Sequence, residues 1–135
     1  HPVERALSTY YFLRRLGTPP ERRADYETDA LNQEPEQYFR KWARNEMSRQ
    51  LAGARLSSFD FVGIAEHYED SIDLFYRDII GADGERTEVP HHHRNPTRPA
   101  PGYDVSPSLR RKIEAANPDD LRLYDDARRL FDRRR

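Results

Sequence analysis

The sequence contains no cysteine. That absence excludes disulfides and thiolate metal sites, and with them a disulfide-stapled secreted fold. Lysine is nearly missing as well: Lys41 and Lys112 are the only two, so arginine carries almost all of the positive charge. No apolar run approaches the length that a bilayer span requires. Glycine is sparse, six in 135 residues, and no G-x-x-x-x-G-K-[ST] phosphate loop or relative of it occurs. Charge of one sign is also lacking, since 23 Lys and Arg stand against 24 Asp and Glu. A general nucleic-acid binder usually carries a basic excess, so that class is not expected. No signal peptide is visible, and there is no initiator Met, so the sequence is expected to start inside a motif.

The residues that are present predict a mainly helical chain. Hydrophobic residues make up 36% and charged residues 35%, a lean core under solvated helix faces. Pro2 suits a first helical position, and Val3, Ala6, Leu7, Tyr10 and Tyr11 form an apolar stripe that predicts a helix to about Arg15. Gly17 and Pro19-Pro20 end it. Ala24 to Asn32 is polar and ambiguous, a loop with one helical turn. Pro35 starts a second helix, with Phe39, Ala43, Met47 and Leu51 at spacings of four and Gly53 as its stop.

Residues 59–64, Phe-Asp-Phe-Val-Gly-Ile, read as a short strand. A lone strand leaves N–H and C=O groups unpaired, so the rest of its sheet is expected upstream of His1. Glu66 to Ile80 predicts a helix with Tyr68, Ile72, Phe75, Tyr76 and Ile79 on one face and Gly81 as C-cap. A Pro-rich loop follows at 89–107. Two helices close the chain. Ser106 caps the first, which turns Leu109 and Ile113 inward. Asn117 caps the second, with Pro118 at its first position, Asp119 and Asp120 against the dipole, and Leu123, Tyr124, Ala127, Leu130 and Phe131 on its buried face.

The opening segment carries the clearest chemistry. Arg5 and Ser8 are three residues apart, on one side of a helix near its N-terminus. Free N–H groups, a guanidinium and a hydroxyl together suit a phosphate. Pro2, Arg5, Ser8 and Tyr10 match the motif Arg-x-Pro-x-x-Arg-x-x-Ser-x-Tyr, whose first Arg would stand just before His1. The segment therefore resembles the 3′-phosphate-binding motif of sulfotransferases that use 3′-phosphoadenosine 5′-phosphosulfate (PAPS), in the heparan-sulfate and carbohydrate branch. Further patches are similar to the same family in order and spacing: residues 45–53, 61–66 with 70–72, 93–96 and 120–124.

The resemblance implies a P-loop NTPase-like α/β fold, of which residues 1–135 would be the mostly helical C-terminal part of one domain. It implies that Ser8 binds the 3′-phosphate of the co-substrate, PAPS or its product adenosine 3′,5′-bisphosphate. Arg5 would be a second contact, although a salt bridge to Glu4, Asp125 or another acid is an equal alternative. Arg94, Asn95 and Arg98 would form a lid over the nucleotide, or else belong to an exposed linker. The 5′-phosphosulfate loop and the catalytic base are expected upstream of His1, so this stretch alone should not catalyse transfer.

Other residues carry less. His91, His92 and His93 are consecutive and make a poor tetrahedral site, so no metal is expected. His67 could be a general base but a surface position is the simpler reading, and Glu66 most simply meets its own helix dipole. Arg44 and Arg49 read as exposed, Trp42 as packing.

The expected function is PAPS-dependent sulfuryl transfer to a hydroxyl of a carbohydrate or similar small-molecule acceptor. Nucleic acid is not an expected partner, and membrane association would need upstream sequence. A bacterial protein of this kind would be cytoplasmic, an animal one a Golgi membrane protein. The alternative is a non-enzymatic helical interaction module; a kinase-like P-loop enzyme lacks its nucleoside-triphosphate features here.

Overall fold

The computed structural model describes residues 1–81 and 102–135. Its elements are α1 (Pro2–Arg15), α2 (Asp25–Asn32), α3 (Pro35–Trp42), α4 (Glu46–Gln50), α5 (Tyr68–Phe75), α6 (Pro107–Ala116) and α7 (Pro118–Arg134). Single 3-10 turns stand between some of them, and a π-helical turn, Tyr76–Ile80, extends α5 to Gly81.

α1 begins as its sequence dictates. His1 caps it through Nδ1, which accepts from the Val3 N–H at 3.3 Å, and Pro2 follows at the first position. Its stripe, Val3, Ala6, Leu7, Tyr10 and Leu13, packs with Ala30 of α2, Tyr38 and Phe39 of α3, and Ile113 of α6 as the main core. The buried Tyr10 hydroxyl donates to the Gln33 carbonyl at 3.0 Å and accepts from Arg14 at 3.1 Å. Burial raises the Tyr10 hydroxyl above its ordinary value and pushes Tyr38 up to about 12. A second, smaller core joins Ile64, Leu74, Ala127 and Phe131.

The α/β expectation is overturned. Among the described residues there is no strand and no sheet, and hence no P-loop NTPase-like core. Residues 59–64 are extended or bent but pair with no neighbouring chain. A side chain does the work of a ladder: Ser71 Oγ accepts from the Ile64 N–H at 2.9 Å and donates to the Ile64 carbonyl at 3.0 Å. Arg134 takes the Asp60 carbonyl at 2.9 Å. The hydrophobic pattern of the segment serves the second core, with Phe61 and Val62 packed against it. β-propensity without a partner strand therefore ended in an irregular, side-chain-satisfied segment.

The second expected helix is also corrected. It breaks after Trp42, because Ala43 leaves the helical region and Asn45 is left-handed at φ 48° before α4 resumes. Asn is among the few residues that tolerate this conformation. The ambiguous stretch 24–32 is a true helix, α2. Its first turn is fastened by Glu27, which accepts from the Ala24 N–H at 2.8 Å and the Thr18 hydroxyl at 2.8 Å.

Those bonds hold the Glu27 carboxyl below its ordinary value, the Ala24 bond most. A carboxylate lowered by folding stabilises the fold above the unfolded value, and that contribution vanishes as pH falls through the folded one. The expected result is that stability declines below about pH 5 and that Glu27→Gln flattens the decline. Urea unfolding of both proteins across the acid range measures it; parallel pH curves would refute the assignment.

α4 and α7 meet by exchanging caps. Asp120, in the first turn of α7, accepts from the N–H groups of Met47 (3.0 Å) and Ser48 (2.7 Å) and from the Ser48 hydroxyl (2.7 Å). In return Asn45 Oδ1, at the cap of α4, accepts from the N–H groups of Asp119 (3.0 Å) and Asp120 (3.3 Å). Asn117 occupies the cap position of α7 as expected, but its side chain turns away: Oδ1 accepts from the Asn45 N–H at 2.8 Å and Nδ2 donates to the Ile113 carbonyl at 2.7 Å. Each helix start is satisfied by the other's side chain.

Candidate functional site

The exchanged caps fix α4 against α7, and α1 crosses close to α7. Between these three helices and the 62–66 segment lies a cleft of about 840 Å³. Glu4, Arg5, Ser8 and Thr9 from α1 form one wall. Met47 and Leu51 of α4, with Leu123, Tyr124 and Ala127 of α7, form an apolar floor. Residues 62–66 close the far side. An apolar floor under a polar rim suits a ligand with a flat ring and charged substituents.

Ser8 and Arg5 stand together on the wall, as their spacing requires. Ser8 is half-buried, and its hydroxyl has no hydrogen-bond partner among the described residues. A mid-helix serine commonly bonds back to its own helix, so this hydroxyl is left available to a ligand. Arg5 is already engaged. Its Nη1 lies 2.9 Å from Glu46 Oε2, and its Nη2 reaches Gln50 Oε1 at 3.5 Å. The ion pair that was the alternative for Arg5 therefore exists, with Glu46 rather than Glu4 or Asp125. Glu4 turns instead to Arg110 at 2.8 Å and to the Tyr103 N–H at 3.2 Å, fastening residues 102–103 beside α1.

Glu66, Tyr124 and His1 also line the cleft. The His1 ring meets Tyr124 edge-on at 5.2 Å. Burial raises the Tyr124 hydroxyl, and the Glu66 charge adds to it.

Arg94, Asn95, Arg98 and the three loop histidines fall outside the described residues. His67 does not line the cleft; it stacks on Phe131 at 5.6 Å with Asp70 at 3.9 Å. Arg44 and Arg49 are exposed. Trp42 is a packing residue whose Nε1 donates to Asp29 at 2.7 Å and whose ring meets Tyr26. Sequence reasoning missed Glu46 and Tyr124 as parts of the site. Tyr124 stood on the inner stripe of α7, and both residues fell in the family-like patches 45–53 and 120–124, but neither was given a role. Among the described residues no three His, Asp or Glu side chains cluster in metal-binding geometry, and no helix is long and apolar enough to cross a membrane.

No family model matches the chain, and no curated protein or solved structure does either.

Proposed function

We propose that this chain supplies the 3′-phosphate-binding part of a sulfotransferase that moves a sulfuryl group from PAPS to a hydroxyl of a carbohydrate or similar acceptor. In that reaction the acceptor oxygen bonds to sulfur while the bond from sulfur to the 5′-phosphate oxygen breaks. The acceptor proton passes to a base, and adenosine 3′,5′-bisphosphate leaves. No described residue is assigned as that base. The role here is anchoring: binding energy at the remote 3′-phosphate holds the donor where its sulfur can be attacked.

The observation that carries this reading is the Ser8 hydroxyl, open to the cleft and unused by the fold, one helical turn from Arg5 and in the motif Pro2, Arg5, Ser8, Tyr10. The apolar floor of Met47, Leu51 and Leu123 is suited to an adenine ring. Calorimetric titration tests it. Adenosine 3′,5′-bisphosphate is expected to bind at least about tenfold more tightly than adenosine 5′-monophosphate, which lacks the anchored group. Equal affinity, or none for either, would remove the assignment.

One observation favours the second reading, a non-enzymatic helical interaction module: the described residues build two cores from helices and loops alone. That reading expects no response to either nucleotide.

A further inference from the structure

We propose that Glu46 is a built-in competitor for the anion-binding arginine, holding Arg5 in the ligand-free protein and releasing it when phosphate enters the cleft. The inference rests on the reading of Arg5 as a phosphate contact, and it adds how that contact is regulated.

Three side chains make the device. Glu46 Oε2 takes Arg5 Nη1 at 2.9 Å, Gln50 Nε2 donates to Glu46 Oε1 at 3.2 Å, and Gln50 Oε1 receives Arg5 Nη2 at 3.5 Å. Glu46 and Gln50 lie one turn apart on α4, while Arg5 belongs to α1. The exchanged caps fix the backbone of α4, so the carboxylate is presented from a firm support rather than a loose tail. The guanidinium and the carboxylate remain about one-third exposed, at 35% and 30%. A pair so open is weak and can be traded for another. A phosphate in the cleft offers the same guanidinium more oxygens and more charge than a carboxylate.

Two consequences distinguish this device from a static salt bridge. Anion affinity is lower than the open site would show, because part of the binding energy separates Arg5 from Glu46. The arginine also stays held on Glu46 and Gln50 when no ligand is present.

The test uses the whole chain, with inorganic phosphate and adenosine 3′,5′-bisphosphate titrated in parallel. The readouts are affinity and the Arg5 side-chain NMR resonance. Glu46→Gln keeps the shape and removes the charge. It is expected to tighten binding of both probes by about threefold, the scale of a part-exposed ion pair, and to shift Arg5 in the free protein. In the Arg5→Ala background the same change should give no gain. Thermal unfolding checks that each variant is folded, and Gln50→Ala is the second probe, loosening the pair without touching either charge. Unchanged or weaker phosphate binding by Glu46→Gln, or a gain that persists without Arg5, overturns the inference. If phosphate responds and the nucleotide does not, the inference stands and the sulfotransferase reading fails. If neither probe binds, both fall.

Discussion

Replacing Asp120 with alanine is expected to cost about 3 kcal/mol of stability and to lower the melting temperature by roughly 10 °C. Asp120 is only 3% exposed. Its carboxylate accepts from the Met47 N–H, the Ser48 N–H and the Ser48 hydroxyl. Removing it leaves donors beneath the surface with no acceptor, and an orphaned buried donor costs more than a made bond yields. α4 is five residues long and cannot hold itself together by its own hydrogen bonds. The loss should therefore reach the cleft, because Met47 and Leu51 stand on α4 and Leu123 and Tyr124 on α7. Asp120→Asn should recover only part of the loss, since one amide oxygen replaces two acceptors. Asp119→Ala, whose carboxylate meets the Asn45 amide and exposed Arg122, should cost less. Differential scanning calorimetry of the three variants measures the order. A melting temperature for Asp120→Ala within a degree or two of the parent would show that water replaces the carboxylate without penalty.

The second large effect is expected on binding. Ser8→Ala should weaken adenosine 3′,5′-bisphosphate by about tenfold or more, the scale of a hydrogen bond to a charged group. It should leave folding stability unchanged or slightly raised, because the hydroxyl bonds to nothing among the described residues and alanine is the better helix former. That pairing, function lost with stability kept, separates a ligand contact from a structural serine. Affinity for adenosine 5′-monophosphate should not move with the substitution. A variant that binds the bisphosphate as the parent does would count decisively against Ser8 as the anchor.

Much of the helical architecture was legible because helix starts are written locally. Pro2, Pro35, Pro107 and Pro118 each fall in a first turn, where the ring costs nothing and fixes φ. The Ser106 cap also formed as read, its hydroxyl accepting from the Leu109 N–H. Four of the five stripe residues read on α1, Val3, Ala6, Leu7 and Tyr10, are buried for the same reason, since burial at helical spacing is a property of one segment; Tyr11 is only partly buried, and Leu13 is buried in addition. Residues 59–64 went the other way. Their composition favours a strand, but a strand exists only when another chain segment offers a ladder. Here Ser71, seven residues on, offered a hydroxyl to Ile64 instead. The left-handed Asn45 was equally hidden. Met47 and Leu51 continue the spacing of Phe39 and Ala43, so nothing in the pattern marked the break.

The sequence by itself determined where most of the helices begin, most of the face that α1 and α7 bury, and that Arg5 and Ser8 share a side of α1. Each depends on neighbours within one or two turns, so local spacing carries the information. On α5 the buried residues are Ser71 and Leu74, while Ile79 of the expected face is exposed. Only the tertiary structure decided that Asn45 and Asp120 would cap each other's helices. It also decided that the chosen acid for Arg5 would be Glu46, 41 residues away, and that these pieces would enclose a cleft. Such pairings depend on which surfaces the packed cores bring together, and charges spread evenly along a chain do not announce their partners.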